Sequence, residues 1–290
     1  MRGFAATDAF MLNEHATPPP STNSWNGLRR CFSTLGCAEL SLEKIGGICT
    51  RLGLDEIELR GIDDTLNLPT WFAERFGTPA ALREAAKEWP FRVGIIDTSF
   101  ALIGKDAAAR AEVEAFAPWA DALEVPWLRV FDGGKFKMQD PERAFDEAAE
   151  TMAWWRETKK SHGWHTDFVI ETHDLLCSSE NCLRLEERLP APVALLWDSW
   201  HIWFHNQENL EETWAALAPF VRHIHFKDGI REAKGNHPYT YVLPGKGVFP
   251  LEDLFTMLKA AHYPGAVSLE WERKWHPYLP PVEEALECLR

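Results

Sequence analysis

The chain is short of cations. Its 290 residues carry 30 Lys and Arg against 44 Asp and Glu, a formal charge of −14 with His neutral. Binding a polyanion relies on many cations that displace counterions, so the expectation is no nucleic-acid partner, although a local basic pocket stays open. Long apolar runs are missing too. No stretch approaches the ~20 residues that a membrane-spanning helix needs, and the opening MRGFAATDAFMLNEHATPPP lacks the apolar core of a signal peptide. Cysteine is sparse, with six residues at 31, 37, 49, 177, 182 and 288. That usage predicts reduced, buried thiols in a cytoplasmic protein with no membrane partner, not a disulfide scaffold. Cys177 and Cys182 are a weak metal pair, because no second Cys pair stands near them.

Phosphate-loop signatures are also lacking. No G-x-G-x-x-G follows the first strand-like run, and no G-x-x-x-x-G-K-[ST] occurs anywhere. Histidine is absent from 16 to 161, so every His of the region expected to fold, bar the arm's His15, lies in the second half of the chain.

What is present is regular alternation. Hydrophobic residues make up 46% of the chain, enough for one large core. The 14 Trp and 17 Phe belong mostly to that core, with some Trp placed to line a pocket. Residues 1–28, rich in Pro, Asn, Ser and Thr, read as an irregular N-terminal arm. From 29 to 290, eight strand-like runs alternate with helix-like runs. The strands are CFSTLG (31–36), EIELRG (56–61), FRVGIID (91–97), WLRVFDGG (127–134), DFVIETHD (167–174), VALLWDSWH (193–201), RHIHFKDG (222–229) and GAVSLEWE (265–272). The helices are expected over 41–52, 79–89, 107–123, 143–161, 179–189, 210–220, 251–261 and 281–290. Eight such pairs in ~260 residues predict a single-domain α/β fold, a (β/α)8 TIM barrel with an N-terminal extension.

In such a barrel the C-terminal strand ends share one rim. The polar residues concentrate there: Glu171 and His173 on strand five, Asp198 and His201 on strand six, His223, His225, Lys227 and Asp228 on strand seven, Glu270 and Glu272 on strand eight. Each interrupts an apolar run, where an unpaired charge is costly. Across a barrel mouth Glu171, Asp198, His225 and Glu270 can share one divalent cation as an O,O,N,O set. Mn²⁺ suits it best, with Mg²⁺, Co²⁺ and Zn²⁺ as alternatives. The spacings of 27, 27 and 45 residues fit, the first two being one strand–helix unit each. His223 is expected to face the helix layer as a structural residue, and Glu272 to orient a ligand or bind a basic group.

The set ETH, WDxxH, HIHFKD and LEWE resembles the xylose-isomerase-like TIM-barrel superfamily, the sugar phosphate isomerase/epimerase family, over roughly Arg30 to the C-terminus. The resemblance implies metal ligands at Glu171, Asp198, His225 and Glu270, and a substrate-binding His201. It also implies an acid/base pair, Glu171 and Glu270. The implied reaction is proton transfer next to a carbonyl of a sugar or keto-polyol through a metal-stabilised enediolate. A dehydratase or lyase acting on a keto-inositol, a dehydroshikimate-like compound or a 3-keto-glycoside starts with the same proton abstraction and is the alternative. Arg129, Lys227 and His173 are further substrate-binding candidates, with Arg60 behind them. Trp275 and the 231–246 loop, with Gly245-Lys246-Gly247, are expected to close over the site, and that loop could hold a phosphate.

The apurinic endonucleases share the barrel, but their trinuclear zinc cluster draws on His residues from strands two and three and a D-x-H after strand seven. The His gap and the absence of D-x-H between 228 and 237 speak against that activity. A non-catalytic binding protein is the remaining alternative. The expected partner is a carbohydrate-like small molecule; whether the chain forms a homo-oligomer is left open.

Overall fold

The computed structural model describes residues 25–104, 106–135, 137–138 and 140–290. The arm expected over 1–28 therefore lies outside the described residues up to position 24. Its last part packs into the barrel. Trp25 is buried, donates its indole N–H to the Val267 carbonyl (3.2 Å) and meets Phe226 edge-on at 5.6 Å.

The strands, in chain order, are β1 (Arg29–Phe32), β2 (Glu56–Leu59), β3 (Arg92–Ala101), β4 (Trp127–Phe131), β5 (Asp167–Glu171), β6 (Leu195–Asp198), β7 (Val221–Phe226), β8 (Asp228–Ile230), β9 (Thr240–Val242) and β10 (Ala266–Leu269). Eight of them pair in parallel in the order β1-β10-β7-β6-β5-β4-β3-β2. The seam between β1 and β2 is closed by a single parallel bridge, Ser33 to Glu58. With helices between the strands this is the expected (β/α)8 barrel. β8 and β9 form a separate antiparallel hairpin that lies within the loop expected after strand seven.

The helices differ from expectation in several places, among them helical turns over Thr34–Cys37 and over 199–206, where the ends of strands one and six are expected. The run 107–123 forms two helices, Ala107–Glu114 and Ala117–Ala122, with Pro118 in the first turn of the second, where its missing N–H costs nothing. A helix at Leu68–Phe76, not anticipated, starts at Asn67, whose side chain accepts the Thr70 N–H (3.3 Å). Among the described residues no helix is long and apolar enough to cross a membrane.

The period-two alternation of strands divides each run between two environments. On β5, Phe168 and Ile170 join the large core shared with the helices, whereas Val169 points inward. Ile95, Val169 and Leu196 together form a small apolar cluster inside the barrel. Below it, Glu56 is clamped by Arg29 (2.5 Å) and Arg92 (2.6 Å). Gly94 makes room for that carboxylate, since a Cβ there would lie 1.9 Å from Glu56 Oε1. Two residues further along each strand, the inward positions become polar: Glu58, Asp97, Arg129, Glu171, Asp198 and His225, all buried. The fold thus places a fully buried polar layer directly on an apolar one, and the mouth of the barrel above it.

Candidate metal and active site

The polar layer opens into a cavity of about 280 Å³ lined by Leu35, Arg60, Arg129, Phe131, Glu171, His173, His201, Lys227, Glu270, Glu272 and Trp275. All six expected catalytic or substrate-binding residues line it: Glu171, Glu270, His201, Arg129, Lys227 and His173. Asp198 and His225 lie against its floor.

Glu171, Asp198, His225 and Glu270 are brought together as one group, with one ligand-type atom from each within 4.8 Å of the others. Glu171 Oε1 and Glu270 Oε2 each lie 3.4 Å from His225 Nδ1. They reach it from β5 and from the end of β10, with β6 and β7 between. His225 Nδ1, Glu171 Oε2 and Asp198 Oδ2 are buried without a hydrogen bond. Asp198 Oδ2 and Glu171 Oε2 have ion-pair contacts to Lys227 (2.8 Å) and Arg129 (3.3 Å), whereas His225 Nδ1 meets only the two glutamates at 3.4 Å. Leaving that buried nitrogen without a hydrogen bond is costly, and a divalent cation among the four would give it a partner. Three oxygens and one imidazole nitrogen are donors that Mn²⁺, Mg²⁺, Co²⁺ and Zn²⁺ accept. The donor set fits a divalent metal.

Beneath this group, His225 Nε2 lies 2.7 Å from Glu58 Oε2. The same oxygen is 2.9 Å from His223 Nε2. His223 therefore points into the barrel and not toward the helices. The expectation had placed it on the opposite face, but residues 223 and 225 are two apart on one strand and share a face. Glu58 and Asp97 were not singled out from the sequence, although each is a charge in an apolar strand, the same cue that marked Glu171.

Lys227, two further along that face, is fully buried. Its ammonium pairs with Asp198 (2.8 Å), Glu272 (2.7 Å) and Glu270. Glu272 thus binds a basic group, as expected. Burial works against the Lys227 charge, but the three carboxylates outweigh it and raise its pKa well above the ordinary value. Arg129 stands between Asp97 (3.4 Å) and Glu171 (3.3 Å), its guanidinium over the Phe131 ring. Burial pushes the Glu171 carboxyl up, yet Arg129 and His225 prevail and hold it below the ordinary carboxylate value. Asp198 goes the other way, pushed up to about 7 by burial against the pull of Lys227.

The D-x-x-H element is one turn. Asp198 ends β6 and caps the short helix after it, its Oδ1 accepting the His201 N–H (3.0 Å). The His201 ring comes back over the carboxylate, Nε2 3.5 Å from Oδ2. Burial, with Lys227 and His173 nearby, lowers its pKa well below the usual value, so the ring is neutral. His173 lies 4.6 Å from it, ring to ring, and edge-on to Phe131 at 5.1 Å. Its pKa rises to about 9: burial opposes the charge, but the Asp174 carboxylate 3.3 Å from Nδ1 and Glu171 overcome it. Arg60 donates Nη2 to Ser99 Oγ (2.9 Å), while Nη1 is buried without a hydrogen-bond partner among the described residues. Burial and the Arg129 guanidinium lower its pKa to about 10.

Of the remaining expectations, some hold and some do not. Trp275 lines the cavity and is half exposed, but no residue of 231–246 does. The amides of Gly245 and Gly247 both point to Asp228 Oδ2 (2.9 Å each), which leaves them no phosphate to hold. Trp197 and Trp200 are core residues, Trp197 beside Trp214 at 5.9 Å and Trp200 stacked on Phe204 at 5.0 Å. Cys177 and Cys182 are buried free thiols, and neither joins a metal-capable group among the described residues.

Comparison with solved structures gives the same barrel. The probable 3-DHS dehydratase AsbF from Bacillus anthracis, involved in petrobactin synthesis, superposes with a TM-score of 0.70 at 18% identity, over 90% of this chain and 96% of that one. The IolI protein with a bound zinc atom gives 0.68 at 19%, over 89% and 94%. The 3-keto-D-glucoside 4-epimerase YcjR from E. coli gives 0.68 at 14%, over 90% and 97%. No curated protein matches the sequence significantly. A family model, described as xylose isomerase-like TIM barrel, matches residues 48–290. With strand order, rim chemistry and family model in agreement, the chain belongs to the xylose isomerase-like TIM-barrel family.

Proposed function

We propose that this protein is a divalent-metal-dependent isomerase or epimerase of a sugar or keto-polyol. The observation that carries the reading is the placement of Glu171 and Glu270 about one imidazole nitrogen, from strands separated by two others, at the floor of one cavity. Its volume suits a monosaccharide-sized molecule better than a polymer. Glu171, Asp198, His225 and Glu270 would hold the ion, Mn²⁺ by preference. When bound, that ion supplies Lewis-acid polarisation of a carbonyl and its neighbouring hydroxyl.

The chain's own groups do the rest. Glu171, kept ionised by Arg129, takes the proton next to the carbonyl. Glu270 returns one to the other face or to the neighbouring carbon. Which acts first depends on the configuration of the substrate. His201, neutral, hydrogen-bonds a substrate hydroxyl, and His173 beside it binds another. Lys227 keeps its pairing to Glu272 and holds positive charge toward the developing oxyanion. Leu35, Phe131 and Trp275 wall the cavity and keep water from the reacting carbon.

The similarity to a probable dehydratase supports a second reading, loss of a β-hydroxyl after the same first step. The partly exposed His173, charged at neutral pH, is suited to protonate that leaving group. Both readings are tested by incubating Mn²⁺-replenished protein in D₂O with ketoses, keto-inositols, dehydroshikimate and sugar phosphates. Deuterium at the α-carbon with an isomeric product supports the first. An unsaturated product supports the second. No exchange with any of them overturns both.

A further inference from the structure

Three cationic side chains with fixed charge line the cavity, and two of them are ion-paired with carboxylates. Arg129 faces Asp97 and Glu171, and Lys227 faces Asp198, Glu270 and Glu272. Arg60 is the exception. Its side chain is only 5% exposed, yet among the described residues it has no carboxylate within 4.0 Å. One nitrogen, Nη2, is engaged by the neutral Ser99 hydroxyl. The other, Nη1, is buried with no hydrogen-bond partner among the described residues. A guanidinium cannot shed its proton to escape this, and burying it unpaired carries a penalty that natural sites offset with an anion or several acceptors.

Asp97, Glu171 and Glu270 act on Arg60 only from beyond 4.0 Å. Arg60 comes directly after β2, and its backbone N–H is held by Thr34 Oγ1 (2.9 Å), as is that of Gly61 (3.1 Å). The backbone is thereby fixed, and with the Ser99 contact the side chain is held at the cavity wall that Leu35 also lines. Arg60 itself lines the cavity, and it is the one fixed cation there with no carboxylate within 4.0 Å among the described residues. We propose that Arg60 is a specificity determinant that binds an anionic oxygen substituent, carboxylate or phosphate, on the substrate. The substrate is then an acidic sugar, a keto-acid polyol or a sugar phosphate, not a neutral ketose. The inference rests on the proposed function only in taking this cavity as the substrate site.

The test is a calorimetric comparison of matched ligands on the Mn²⁺-loaded full chain and on the metal-free chain. D-Galacturonate is compared with D-galactose, quinate with myo-inositol, and D-galactose 6-phosphate with D-galactose. In the wild type at least one anionic member should bind about tenfold or more tighter than its neutral partner, the scale of one hydrogen bond to a charged group. The galacturonate and phosphate arms identify which anion. In Arg60→Gln the gap should close, and in Arg60→Lys part of it should return. Melting temperature and circular dichroism of both variants report folding, and the wild-type comparison stands without them. Equal binding within every pair, absence of binding by all ligands, or a preference that survives Arg60→Gln overturns the proposal. Metal uptake and α-proton exchange are measured separately, so failure here leaves the reaction standing, and their failure leaves the anion preference measurable.

Discussion

Glu58 Oε2 lies 2.7 Å from His225 Nε2, on the side of the ring away from the cavity. The hydrogen bond fixes Nε2 as the nitrogen that keeps its proton when the ring becomes a ligand, and leaves Nδ1 turned to Glu171 and Glu270. A carboxylate behind a ligating imidazole orients the ring and raises its basicity. Glu58→Gln should therefore weaken Mn²⁺ binding by roughly 10–100-fold. Competition titration against a chelator measures this. Unchanged affinity in a folded variant would detach Glu58 from the metal site.

Lys227 is the internal counter-charge of the carboxylate group. Replacing it with Met leaves Asp198, Glu270 and Glu272 buried without their shared cation. Removing one partner of a buried pair costs about 3–5 kcal/mol, so metal-free Lys227→Met should lose that order of stability in urea titration. Added Mn²⁺ should restore more stability to the variant than it adds to the wild type. Equal stabilisation of both by metal would show that the lysine and the ion do not share carboxylates.

The fold was legible in the sequence because its signal repeats eight times. Each strand is a β-branched run ending in polar residues, and the count survived errors at single boundaries. The grouping of the four candidate ligands was legible for a related reason: Glu171, Asp198, His225 and Glu270 are polar residues in apolar runs near the ends of their strands. The layer beneath them was harder to read. Glu58 and Asp97 carry the same cue, but the Glu58 partner His223 comes from a strand distant in sequence, and the Asp97 partner Arg129 lies a whole strand–helix unit away, so no local pattern names either pair. The β8–β9 hairpin is short, and its anchor is one carboxylate bonded to amides 17 to 21 residues away. Its periodicity could not have announced it.

That anchor gives a stability prediction. Asp228 accepts N–H groups from Gly229 (2.8 Å), Gly245 (2.9 Å), Gly247 (2.9 Å) and Phe249 (3.1 Å). Gly247 has no alternative, since a Cβ there would fall 2.0 Å from Asp228 Oδ1. Asp228→Asn turns one acceptor oxygen into a donor facing donors. It should cost about 1–3 kcal/mol and speed hydrogen exchange at residues 245–249. Native-like protection of those amides would contradict the anchoring role.

Metal uptake should release protons. In the metal-free protein His225 is held protonated: burial opposes the charge, but Glu58 and Glu270 overcome it. Asp198 retains a proton up to about pH 7. Both must lose it to act as ligands, so Mn²⁺ affinity should rise from pH 6 to 8. Calorimetry in buffers of different ionisation enthalpy counts the protons. The sign for folding is opposite. The Asp198 pKa is raised from 3.8 to about 7 on folding, so its contribution to stability is full below the lower value and is lost as pH rises to the upper one. Asp198→Asn should flatten that part of the metal-free stability profile. An affinity independent of pH would contradict the ligand assignment.

One divalent ion among four named side chains is the central claim. Anomalous diffraction from a crystal grown with Mn²⁺ tests it most directly. The predicted result is a single strong peak at the barrel mouth, with oxygen or nitrogen atoms of Glu171, Asp198, His225 and Glu270 at about 2.0–2.2 Å, and Lys227 still paired with Glu272. No peak at that position, or an ion bound by other residues while these four keep their metal-free contacts, would contradict it.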